Sequence, residues 1–100
     1  MRHILLSVLM IFGLSLETVG DDFDEGVIAF NTSDYETALR LWTPFANNGV
    51  AGAQHNLGIL YEYGFGVPQD FETAVWWYTQ SAEQGYASAQ TALGGKYNRG

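Results

Sequence analysis

Apolar residues recur along this chain at intervals of three and four, the spacing of a helix face. Phe23, Val27 and Phe30 form one such stripe and predict a helix over 22–31. Ala38, Leu41, Trp42 and Phe45 form a second, behind Asp34, whose carboxylate can accept from the free N–H groups of a first helical turn. Glu36 stands where the helix end is positive, and Asn47-Asn48-Gly49 supplies a terminator. Pro44 conflicts with that second helix and should kink it or end it early. Ala53, Leu57, Leu60 and Tyr61 share the face of a third helix over 51–63. Gly64-Phe65-Gly66-Val67-Pro68-Gln69 reads as a loop. Asp70 caps a fourth helix, in which Ala74, Trp77, Tyr78 and Ser81 make a buried stripe and Gly85 closes the end. A fifth helix begins at Tyr86 or Ala87.

The pattern repeats. Ala53-Gln54-His55-Asn56-Leu57-Gly58-Ile59-Leu60-Tyr61-Glu62-Tyr63-Gly64 matches the segment from Ala89 to Gly100 at six of twelve positions, thirty-six residues apart. The same offset carries Asp34-Tyr35-Glu36-Thr37-Ala38 onto Asp70-Phe71-Glu72-Thr73-Ala74, and Ala46, Gly49 and Ala51 onto Ala82, Gly85 and Ala87. A period in the mid-thirties belongs to stacked two-helix units, none of which buries its apolar face alone. Small residues at Gly58, Ala74 and Ala82 would let helix axes approach closely while Tyr61, Trp77 and Tyr78 fill the wider gaps.

These residues resemble the Sel1-like repeat, a branch of the tetratricopeptide-type helical repeats. The resemblance rests on Ala53-Gln54, Leu57-Gly58, Tyr61, Gly64, Gly66-Val67, Asp70, Ala74, Trp77-Tyr78, Ser81-Ala82 and Gly85, then Ala89-Gln90 and Leu93-Gly94 of a following unit. One complete unit falls at about 53–88. The segment 22–49 is similar, but Gly26 aligns with Gly58 only if its inter-helix loop is about four residues shorter. The resemblance implies an all-α fold, an α-α superhelix or solenoid, with the first helix of each unit on the concave face and the second outside. It also implies an adaptor role, such as signalling, envelope assembly or host contact. Some cysteine-rich secreted relatives are linked to β-lactam and peptidoglycan-like ligands; this chain has no cysteine, so that activity does not carry over.

Composition adds a route and a charge. Met1-Arg2-His3, the apolar run from Ile4 to Leu16 and the exit at Thr18-Val19-Gly20 have the form of a secretory signal peptide cleaved after Gly20. The run is short for a membrane span, which needs roughly 20 residues. The expected organisation is therefore 1–20 signal peptide, 21–49 N-terminal hairpin unit, 50–88 complete repeat and 89–100 the first helix of a further, incomplete repeat. Export without cysteine fits a bacterial envelope or the medium, hence a secreted or periplasmic location. Beyond Gly20 ten acids face three bases, Arg40, Lys96 and Arg99, and the net charge stays at −7. Such a surface repels nucleic acid and anionic membranes, leaving membrane contact to an uncleaved signal segment.

By analogy with the tetratricopeptide pattern, the groove positions are Phe23, Val27 and Phe30 on the first unit, His55, Asn56, Ile59, Glu62 and Tyr63 on the second, and Thr91, Gly95 and Asn98 on the third. They suit a protein or peptide partner. Phe23 and Phe30 have an alternative role, covering the open end of the stack. Trp76 points about 100° away from Trp77 around its helix and is a further contact candidate on the outer face. Nothing points to an enzyme, a metal or a cofactor: His55 has no partner at a metal-binding spacing, and Gly64-Phe65-Gly66 is neither preceded by a strand nor followed by the lysine of a phosphate loop. The function expected is an interaction scaffold; binding or hydrolysis of cell-wall fragments or β-lactams is the alternative. For the fifth helix, which lacks a hairpin partner, a continuing array and self-association through the bare face both stay open.

Overall fold

The computed structural model describes residues 22–98, all helices and short connections, with no strand among them. The predicted signal peptide, Arg99 and Gly100 lie outside the described residues. Helix α1 covers 22–31, α2 Tyr35–Asn47, α3 Ala51–Tyr63, α4 Phe71–Ala82 and α5 Ala87–Asn98. Consecutive helices pack on one another, α2 on α3, α3 on α4 and α4 on α5. Helices α1–α2 and α3–α4 are therefore successive hairpins, and α5 opens the next unit.

The caps explain where the helices start. Asp34 accepts from the Thr37 N–H at 3.4 Å and Asp70 from the Thr73 N–H at 3.1 Å, one repeat later. Thr73 also donates its hydroxyl to Asp70 at 2.8 Å. That hydroxyl and the Thr73 amide hold the Asp70 carboxyl below its ordinary range, because both stabilise the charged form. The connection between α1 and α2 is three residues, 32–34, against seven, 64–70, between α3 and α4, the four-residue difference that the alignment of Gly26 with Gly58 requires. In the longer loop Gly66 takes a φ of +76°, and a Cβ there would stand 3.0 Å from the Tyr35 backbone carbonyl carbon. The neighbouring Phe65 ring stacks on Tyr35 with centroids 4.4 Å apart. The loop thus lies flat against the start of α2.

Pro44 does not end α2, which continues to Asn47. The proline is exposed, and so is Arg40, whose carbonyl loses the bond that Pro44 cannot donate. Water can serve a carbonyl on that side. Downstream, the Ala46 carbonyl is held from outside the helix by Gln54 Nε2 at 3.2 Å. Gln90 Nε2 makes the same bond to Ala82 at 3.2 Å, so each Ala-Gln pair fastens a first helix to the end of the preceding second helix. Ser81 adds a 2.7 Å bond to the Ala51 carbonyl, and Gln84 Nε2 bonds to the Gly49 carbonyl at 2.8 Å and to Gln54 Oε1 at 2.9 Å.

The core repeats as the sequence does. Ala29, Ala38, Trp42, Ala46, Ala53, Leu57 and Leu60 are buried together, and Ala74, Tyr78 and Ala89 form the next cluster. Trp42 and Tyr78, thirty-six residues apart, are the large rings at the centre of each. Trp42 packs on Gly26, where a Cβ would collide with its Nε1, and Tyr78 packs on Gly58, where a Cβ would lie 2.5 Å from Cε1. No buried side-chain nitrogen or oxygen among the described residues lacks a hydrogen bond.

Candidate interaction groove

Each second-helix ring forms the floor of a trough between two first helices. The first trough is a cavity of about 140 Å³ walled by Val27 and Phe30 of α1 and by Asn56 and Ile59 of α3, with Trp42 beneath. The second, about 520 Å³, has His55, Ile59, Glu62 and Tyr63 of α3 on one side. Thr91, Ala92 and Gly95 of α5 stand opposite, and Tyr78 is the floor. Ile59 belongs to both. Helix α3 is thus a ridge with a small apolar pocket on one flank and a larger polar one on the other.

Seven of the nine candidate contact residues meet here: Val27, Phe30, His55, Asn56, Ile59, Glu62 and Tyr63. Thr91 and Gly95 join them, while the Asn98 side chain lies outside what is described. Two candidates stand elsewhere. Phe23 lines neither cavity; its ring lies against Trp42 and Phe45, at 6.2 and 5.7 Å between centroids, and its carbonyl accepts from Trp42 Nε1 at 3.2 Å. Trp76 is 54% exposed on α4, edge-on to Trp77, and faces neither trough.

Glu62 is in the second trough but is not an open surface acid. It is 8% exposed and accepts the Tyr78 hydroxyl at 2.6 Å, with further engagement of its own. Burial, then the Glu62 hydrogen bond and charge, push the Tyr78 phenol far above its ordinary value, so it remains a donor. The sequence offers no signal for this pair, because an acid and a tyrosine sixteen residues apart on different helices match no local motif.

Tyr63 is 58% exposed and stacks on Phe65 at 5.6 Å. Through Phe65 the rings continue to Tyr35, Phe30 and Trp42. The exposed edge of the groove is therefore braced by the loop and by both units.

His55 sits between the Tyr78 and Tyr86 rings, 5.6 and 5.4 Å away, with Nδ1 3.3 Å from Asn56 Oδ1. Burial pushes its imidazole below the ordinary 6.5, and the Asn56 bond opposes part of that. The unfolded imidazole therefore takes up a proton at higher pH than the folded one. Stability is full above 6.5 and drains away as pH falls through that unfolded value. The expected result is a Tm that declines between about pH 7 and pH 5, with a shallower decline for His55→Gln. Equal slopes for the two proteins would contradict this assignment.

Among the described residues no group of three or more His, Asp or Glu is placed to hold a metal ion, and no helix is long and apolar enough to cross a membrane. Residues 51–86 match the family model of the Sel1 repeat, the stretch from the start of α3 to the end of the turn after α4. Repeats of that family generally mediate protein–protein interaction and are typically non-enzymatic. No curated protein and no solved structure matches the chain.

Proposed function

We propose that this chain is an exported helical-repeat scaffold that binds a peptide segment of a partner protein across the ridge of α3. The observation that carries the reading is the pair of cavities meeting at Ile59, on the side where first helices of successive units stand next to one another. A concave, partly apolar seat with a few polar groups is the general form of a binding site. The leader-like segment before Asp21 supports export, to the periplasm or the medium.

The test is selection of binders from a random twelve-residue peptide library, followed by titration against variants. Ile59→Asp places a charge between both pockets and Val27→Asp places one in the first. Each should weaken the selected peptides by about tenfold or more, the loss expected of a central contact. Both variants are to be checked for native circular dichroism. Peptides that bind the two folded variants as well as the parent would overturn the groove assignment. Turnover of muropeptides or β-lactams by the purified protein would instead favour the cell-wall reading.

A further inference from the structure

The two pockets differ in chemistry, and the difference points to what each one takes. The first is lined by Val27, Phe30, Trp42 and Ile59, with Asn56 as its polar wall residue. At about 140 Å³ it is close to the roughly 150 Å³ apolar cavity that accepts a benzene ring. One leucine- or phenylalanine-sized side chain fits it.

The second pocket is lined by aromatic rings and a carboxylate. Tyr63, which is well exposed, and His55 contribute rings, and Tyr78 lies buried beneath with its hydroxyl bound to Glu62 in the wall. Among the described side chains no lysine or arginine lines it. At about 520 Å³ it has room for a long side chain. Aromatic faces attract cations, and more strongly where water is excluded. The field of the whole chain has the same sign, since the described residues 22–98 carry nine acids and two bases. An anionic ligand would meet repulsion from both the pocket and the surrounding surface.

Resting on the peptide-binding reading, we propose that the groove recognises a basic segment with two anchors: an apolar side chain in the pocket over Trp42 and an arginine or lysine in the pocket over Tyr78. The spacing follows from the helices. A helix with its side chains is about 10–12 Å across, so the troughs on the two flanks of α3 are separated by about that distance. An extended peptide advances about 3.3 Å per residue, so the anchors stand three to four residues apart.

The experiment uses fluorescein-labelled, end-capped glycine-serine decapeptides carrying one leucine and one arginine at separations of one to five residues. Matched peptides replace the arginine with citrulline or with glutamate. The expected result is tightest binding at separations of three to four, at least about tenfold weaker binding for the glutamate peptide, and citrulline in between. Nuclear magnetic resonance adds a positional readout: exchanging arginine for citrulline should move the Tyr63 and Thr91 amide signals, and exchanging leucine for alanine those of Val27 and Phe30. Tyr63→Ala should reduce the preference for arginine over citrulline while leaving the leucine-to-alanine loss unchanged. Equal binding of the three charge forms, with Ile59→Asp still abolishing it, would overturn the two-anchor proposal and leave the groove reading standing. Binding that survives Ile59→Asp would overturn both. No binding of any of these peptides at about 1 mM, a free energy near −4 kcal/mol, would also overturn the proposal.

Discussion

Trp42→Ala should remove most of the stability of the first hairpin. The indole is 3% exposed, lies against the Gly26 backbone, and has Phe23 and Phe30 beside it at 6.2 and 5.9 Å. Its N–H reaches the Phe23 carbonyl at 3.2 Å. Truncating a buried tryptophan costs about 3–5 kcal/mol, out of roughly 5–15 kcal/mol for a whole domain. For a domain of this size that is a fall in Tm of about 12 °C or more. Each unit of a repeat protein is held mainly by its neighbour, so the loss should appear first as faster amide exchange in α1. The same substitution also removes the floor of the first pocket, and peptide binding should fall with it. Trp76→Ala is the comparison: that ring is half exposed on α4, and its removal should change stability by no more than about 0.5 kcal/mol. Equal melting of the two variants would refute the placement of Trp42.

The contrast between two tryptophans on equivalent helices shows what could be read in the sequence. Helical periodicity separated Trp42 and Trp77, which pack inward, from Trp76, which does not. The thirty-six-residue offset set the hairpins and the Asp34 and Asp70 caps, and the departure from it at Gly26 set the shorter first loop, because each is governed by residues close together in the chain. The recurring Ala46/Ala82 and Gln54/Gln90 could be recognised as repeat positions, but not as a repeated bond between a glutamine amide and a helix-end carbonyl.

The groove was less legible for the same reason. The helical face puts Asn56, Ile59 and Tyr63 on one side of α3, and that much follows from spacing. Whether an acid on that face meets water or another helix depends on a distant residue. For Glu62 that residue is Tyr78, whose own position depends on Gly58. Phe23 was drawn away from the groove by Trp42 and Phe45, both on α2. Pro44 illustrates the reverse: a strong local breaker was overridden because its helix end is tied down by Gln54 of the next unit.

Gly58 and Gly94 hold the same repeat position, and the same substitution should affect them in opposite directions. Exchange of a mid-helix glycine for alanine favours the helix by about 1 kcal/mol where nothing obstructs the methyl group. At Gly94 a Cβ would meet nothing within 4 Å, so Gly94→Ala should raise Tm by a few degrees. At Gly58 a Cβ would stand 2.5, 2.6 and 3.0 Å from Cε1, Cδ1 and Cζ of Tyr78. That ring cannot swing aside cheaply: it is 1% exposed, and its hydroxyl is bound to Glu62 at 2.6 Å. Forcing extra carbon into such a contact typically costs about 1–3 kcal/mol, which outweighs the helix gain, and Gly58→Leu should cost more still. The shift of Tyr78 should also open the second pocket and weaken arginine-bearing peptides. Combining Gly58→Leu with Tyr78→Ala restores space where volume was added. Residues in contact typically couple by about 0.5–3 kcal/mol, so the double variant should be more stable than the two single losses added together. Strict additivity in urea melts would mean that the leucine and the tyrosine ring do not compete for the same space, and the close approach of α3 and α4 at Gly58 would have to be abandoned.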